Sequence, residues 1–83
     1  MDLENIIVEM HRRGMIKFGR FILSSGKESP YYIDLRILPS FPDLYRNIME
    51  YMVKLANRID YDVIAGIETS GIVHAAYLGC LLN

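Results

Sequence analysis

The sequence predicts an α/β fold on three observations. Residues 40–59 place large apolar side chains at helical spacing, residues 62–66 form a short β-branched hydrophobic run, and an almost wholly apolar helical stretch, 72–82, follows that run after a polar turn. Strand, tight turn and helix in that order make the first half of a βαβ unit. The 83 residues amount to one small domain, and 52% hydrophobic content excludes a disordered tail. Nine basic against ten acidic side chains leave a net charge of −1, so no global basic field exists to grip nucleic acid or an anionic membrane.

In chain order, residues 3–13 read as a helix. Asp2 is its N-cap, Leu3, Ile6, Ile7 and Met10 form its apolar face, Glu9 and Arg13 are an i,i+4 pair, and Gly14 stops it. Residues 16–23 carry β-type side chains interrupted by Gly19, which predicts a bent strand or two short ones. Ser24, Ser25, Gly26, Lys27, Glu28, Ser29 and Pro30 read as a turn. Residues 31–36 then alternate: Tyr31, Ile33 and Leu35 on one side, Tyr32, Asp34 and Arg36 on the other. That second face is either solvated or lines a site. Ser40, Pro42 and Asp43 start the long helix of 40–59, whose core side holds Leu44, Ile48, Tyr51, Met52, Leu55 and Ile59. Residues 63–66 are expected as a strand buried on both faces, and 67–71 as a polar turn.

Candidate chemistry is sparse. Gly66 to Gly71 form a glycine-bounded turn ahead of a helix, where Thr69, Ser70 and backbone N–H groups could hold a phosphate; a purely structural strand-to-helix turn fits equally. His11 and His74 are far apart and read as surface or packing histidines, Cys80 as a core thiol, and Asp60 and Asp62 as solvated acids. No metal-ligand set and no catalytic constellation are evident. One cysteine excludes an internal disulfide and fits a reducing cytoplasm, the acidic N-terminus is unlike a secretory signal, and the longest apolar run falls short of the roughly 20 residues that span a bilayer.

Residues 16–36 carry the pattern K-F-G-x-F-x-L-x-S-G-x-x-S-P-x-Y-x-D-x-R, which resembles the N-terminal signature of orotate phosphoribosyltransferases. Ser40-Phe41-Pro42 and the stretch from Asp62 through Gly71-Ile72 are similar to that family in order and spacing. The resemblance implies the front portion of a type I phosphoribosyltransferase-like domain, with 1–39 as a hood segment and 40–83 as the start of the α/β core. It implies orotate and phosphoribosyl pyrophosphate as substrates, Mg²⁺ as cofactor, and orotidine monophosphate and pyrophosphate as products in pyrimidine biosynthesis. Ser24, Ser25, Gly26 and Lys27 would touch substrate, Tyr32 and Ile33 would pack on orotate, and Glu68, Thr69, Ser70 and Gly71 would form the pyrophosphate loop. The departures are specific. Ser24 stands where many members carry lysine, the loop has no cation, and Glu68 puts a carboxylate where pyrophosphate should bind. Neither the family's catalytic loop nor its V-x-x-x-D-D-x-x-T-T-G-type donor motif occurs in the 83 residues. Three readings follow: the front of such an enzyme, a non-catalytic pyrimidine- or anion-binding remnant, or an interaction module completing its fold on a partner chain. A homo-oligomer or a partner covering 72–82 is expected, since that helix has no polar face.

Overall fold

The structure is a computed structural model describing residues 2–82, with Met1 and Asn83 outside the described residues. Its elements in order are α1 (Leu3–Arg12), β1 (Ile16–Ile22), β2 (Glu28–Ile33), a 3-10 turn (Leu38–Ser40), α2 (Pro42–Ala56) and α3 (Ser70–Leu82). The chain divides into two compact units, Met1–Leu44 and Tyr45–Asn83.

In the first unit, Asp2 caps α1 by accepting from the Asn5 N–H at 2.9 Å, and Ile6 is the residue of that helix that becomes buried. Gly14, at φ +86°, turns the chain out of the helix at little steric cost. β1 and β2 pair antiparallel, with Ile16 opposite Ile33, Lys17 opposite Tyr32 and Phe18 opposite Tyr31. The register shifts between Phe18 and Phe21, so the interruption expected at Gly19 is a bulge within one strand. β2 differs from its expected span of 31–36: it begins at Glu28 and ends at Ile33. Ser29 and Pro30 belong to the ladder because Phe21 and Ile22 pair with Ser29 and Glu28; turn composition there yielded to cross-strand bonding. Ile6, Met15, Leu38 and Leu44 are the buried apolar side chains described in this unit.

Arg13 gathers the ends of α1 and α2. It forms paired bonds to Asp43 at 2.9 and 3.0 Å, a 2.9 Å bond to Glu9, and lies 5.4 Å from the centre of the Phe41 ring. The expected Glu9–Arg13 pair is present, and Arg12 also binds Glu9. The long helix is shorter than its sequence span. It starts at Pro42, so Ser40 is not its cap but closes the 3-10 turn, and it ends at Ala56, before Ile59.

In the second unit, Tyr45, Met49 and Leu78 are buried. The Tyr45 ring meets His74 and Tyr77 edge-on at 5.4 and 4.8 Å. The strand expected at 63–66 is not formed. These residues pair with no strand among those described, and Val63 is 81% exposed. A parallel strand exists only through its ladder neighbours, and β-branched composition cannot supply them. Cys80 is exposed and not a core thiol: α3 is apolar all round, so its sequence pattern does not say which side is covered, and Leu78 is the side it buries. No helix among the described residues is long and apolar enough to cross a membrane.

The ion pairs set an acid limit. The Arg36 guanidinium and backbone N–H hold Asp34 down to about 2, and Arg13 with the Leu44 N–H does the same for Asp43, against an ordinary 3.8. Carboxyls depressed on folding contribute stability above their unfolded value and lose it as pH falls through the folded one. The thermal midpoint is therefore expected to be level above pH 5 and to fall between about pH 4 and pH 2; in the double variant Asp34→Asn/Asp43→Asn that decline should be largely gone in far-UV circular dichroism melts.

Candidate functional site

The candidate residues form two sets, one in each unit. In the first unit, Ser24, Ser25, Gly26 and Lys27 make the exposed hairpin turn between β1 and β2. The Leu23 N–H donates to the Lys27 carbonyl and the Gly26 N–H to the Leu23 carbonyl, both at 2.8 Å. Gly26 has φ +86°, a conformation this closure needs and a side chain would resist. Just beyond the turn, Arg20 and Glu28 form an ion pair across the strands.

Tyr32 and Ile33 end β2, and both side chains are partly exposed. Phe21 and Tyr32 place their ring centres 5.7 Å apart. The pairing of Ile16 with Ile33 and of Lys17 with Tyr32 continues one step further, where the Asp34 N–H donates to the Met15 carbonyl at 2.7 Å. Lys17, Tyr32 and Asp34 consequently share one face, as directly opposed and alternate strand residues do. Asp34 is buried, and its carboxylate accepts from Arg36 Nε at 2.8 Å, Arg36 Nη2 at 3.0 Å and the Arg36 backbone N–H at 3.0 Å.

In the second unit, Glu68 and Thr69 form an exposed turn, while Ser70 and Gly71 already belong to α3. The expected five-residue turn is thus shorter, and the Ile72 N–H bonds to the Thr69 carbonyl at 3.3 Å as the helix begins. Gly66 lies directly against the first turn of α3. A Cβ there would collide with the Gly71 carbonyl and come within 2.9 Å of the Ala75 methyl. An open cavity of about 380 Å³ beside this contact is mostly apolar, with Met49, Met52, Ile64, Ala75, His74 and Leu78 in its wall.

His74 is a packing histidine. Its Nδ1 is 2.5 Å from the Tyr45 hydroxyl, whereas its Nε2 is buried without a hydrogen-bond partner among the described residues. Burial pushes the Tyr45 phenol up, with a smaller contribution from Tyr77. His11 is exposed and lies 5.2 Å from the Phe18 ring; Asp60 and Asp62 are exposed as expected. No three His, Cys, Asp or Glu side chains gather as a metal site among the described residues. The residues present therefore make no ligand set of their own for Mg²⁺. What the sequence reading missed is Lys17, because placing it beside Tyr32 needs the pairing register. The alternation of 31–36 already put Asp34 on the side of Tyr32; Arg36 lies in the turn beyond β2 and is joined to Asp34 by its hydrogen bonds.

The Gly66 contact gives a direct test. Gly66→Ala is expected to destabilise the chain by about 1–3 kcal/mol through forced displacement of α3. Gly79 in α3 meets nothing within 4 Å of an added Cβ, so Gly79→Ala is expected to be neutral or to stabilise by about 0.5–1 kcal/mol. Urea unfolding followed by circular dichroism separates the two.

No model of a protein family matches the chain. Against curated proteins, 78 residues (94% of the chain) are 45% identical to the orotate phosphoribosyltransferase of Staphylothermus marinus and cover 38% of it. All 83 residues align at 40% identity with that of Saccharolobus solfataricus, covering 40% of its length. Among solved structures, Leishmania donovani UMP synthase matches 95% of the chain at a TM-score of 0.80 and 33% identity, over 17% of its own length. The crystal structure of orotate phosphoribosyltransferase from Francisella tularensis matches 94% of the chain at a TM-score of 0.67 and 26% identity, over 39% of its own. In sequence and in fold the chain belongs to the orotate phosphoribosyltransferase family, and it spans 38–40% of the length of these two curated relatives.

Proposed function

We propose that these 83 residues are the pyrimidine-side portion of an orotate phosphoribosyltransferase, an enzyme joining orotate to phosphoribosyl pyrophosphate to give orotidine monophosphate and pyrophosphate. The observation that carries this reading is Tyr32, an accessible aromatic ring at the end of β2 in a chain whose similarity to the family runs over 94% or more of its length. Tyr32 and Ile33 pack on the pyrimidine, and Ser24, Ser25, Gly26 and Lys27 offer hydroxyls, backbone N–H groups and an ammonium at its edge. Glu68, Thr69, Ser70 and Gly71 lie on the pyrophosphate side, where the backbone N–H groups opening α3 are the anion-binding element. In this reading 1–39 is the hood and 40–83 the start of the core of one incomplete domain. Mg²⁺ would enter with the phosphates, as it commonly does when one or two carboxylates and substrate oxygens complete its shell; no step is derived through it. The lone thiol Cys80 is in keeping with a cytoplasmic setting.

A second reading, a pyrimidine- or anion-binding chain without catalysis, is favoured by one feature: the turn at Glu68 carries a carboxylate and no cation to offset phosphate charge. Two measurements decide. Orotate is expected to shift the Tyr32 and Ile33 amide resonances saturably, and Tyr32→Ala to abolish the effect; no saturable shift overturns both readings. With orotate, phosphoribosyl pyrophosphate and Mg²⁺, the purified 83-residue chain is expected to release no orotidine monophosphate, since neither the catalytic loop nor the donor motif of the family occurs in these residues.

A second copy or a partner chain is proposed to cover α3, where Ile72, Val73 and Leu81 are each about half exposed. Val73→Glu/Leu81→Glu is expected to shift the protein toward monomer in sedimentation equilibrium; a native chain that is already monomeric at micromolar concentration speaks against self-association.

A further inference from the structure

We propose that Tyr45 is a positioning residue for the turn ahead of α3: its hydrogen bond to His74 fixes the rotation of α3 about its own axis, and with it the direction of the backbone N–H groups that open the helix. The inference rests on the reading of that turn as the pyrophosphate side.

Composition leaves that rotation open. α3 is apolar all round, so burial alone would be nearly as favourable with another side turned inward. From Ile72 to Leu82, only His74 and Tyr77 carry strong hydrogen-bonding side chains. His74 stands about one helical turn after Ser70, and its Nδ1 lies 2.5 Å from the Tyr45 hydroxyl of α2. Both residues belong to the second unit. Tyr45 is 6% exposed, so the bond is made away from water, where breaking it leaves two polar groups unpaired. Turning α3 by one residue, about 100°, would carry His74 out of reach. The direction of the bond follows by counting. With the phenol donating, Nδ1 accepts and the His74 proton sits on Nε2, which is buried without a partner among the described residues. In the reverse arrangement the phenol proton would go unpaired as well. Burial, which pushes the Tyr45 phenol up, keeps that proton on the oxygen. One buried polar pair selecting a single packing among several apolar ones acts as a buried asparagine does in a coiled coil. Gly66 sets how close the start of α3 may come, and Tyr45 sets which way it faces.

The test compares Tyr45→Phe, which keeps the ring and its edge-on contacts, with Tyr77→Phe, which removes a hydroxyl from the same cluster. Far-UV circular dichroism checks that both fold. Inorganic pyrophosphate is titrated into the 83-residue chain while the Ser70 and Gly71 amide resonances are followed. The ring nitrogens of His74 are read by heteronuclear NMR at about pH 8, where imidazole is ordinarily neutral. The native ring is expected in the single Nε2–H form. Tyr45→Phe should show both tautomers and bind pyrophosphate about three- to tenfold more weakly, as the fraction of α3 in the right rotation falls. Tyr77→Phe should match the native chain in both readouts. If Tyr45→Phe binds pyrophosphate as the native chain does, weakens it without disturbing the tautomer, or weakens it no more than Tyr77→Phe, the positioning role is refuted and the loop reading stands. If the native chain shows no saturable shift at Ser70 or Gly71, the loop reading fails and the positioning role with it. Should Tyr45→Phe not fold, the native ring still decides, since mixed tautomers there overturn the proposal.

Discussion

The antiparallel register of β1 on β2 is the constraint on which the first unit depends. It sets Ile16 against Ile33 and Lys17 against Tyr32, and runs on to the bond between Asp34 and Met15. A slip of one residue would turn Tyr32 to the opposite face, remove Lys17 from its side, and send the buried Asp34 carboxylate elsewhere. Two local features protect that register. The turn closed by the Gly26 and Lys27 backbone fixes the hairpin end, and the bulge between Phe18 and Phe21 absorbs the extra residue of β1 before the Lys17–Tyr32 pair is reached. Asp34 then locks the far end, since a buried carboxylate without Arg36 would be costly.

The second unit depends on a contact of a different kind. Gly66 and Gly71 approach so closely that a side chain at 66 would meet the Gly71 carbonyl, so the start of α3 can lie where it does only with glycine there. Glycine is required at 66 for space and not for an unusual dihedral angle: its φ is not among the positive ones. The Glu68–Thr69 turn is thus positioned by packing behind it, while its own side chains face solvent.

What could be read in the sequence was what local periodicity determines. α1 was legible from Asp2 to Gly14 because a cap, an apolar face and a stop signal all lie within its own residues. α2 was legible except at its ends, where Ser40 reads as a cap by type but is taken up in the 3-10 turn. The start of β2 was not legible, because Ser29 and Pro30 are turn formers that become strand only through Phe21 and Ile22 across the ladder. Residues 63–66 failed for the same reason in reverse: strand composition without a ladder partner among the described residues. Of the candidate residues, Tyr32 and Asp34 on one face were legible from alternation, whereas Arg36 lies in the turn beyond β2, Lys17 required the register, and the Gly66 contact required the path of α3.

The two candidate sets also differ in charge, and the difference bears on what each can hold. The face of Tyr32 has Lys17 directly across the ladder, and the Asp34 carboxylate on that face is bound by Arg36. The turn before α3 has backbone N–H groups and the carboxylate of Glu68, with no lysine or arginine between Tyr61 and Leu82. A diphosphate bears several negative charges, and the partial charge at a helix N-terminus, roughly half a unit, offsets only a fraction of them. Repulsion from Glu68 subtracts from that fraction. On charge alone, then, the second set is the weaker candidate: its backbone can shape a phosphate position, but the cations that would make such a position strong are not in this stretch of sequence. The first set, by contrast, carries both its shape and its charge within residues 17–36.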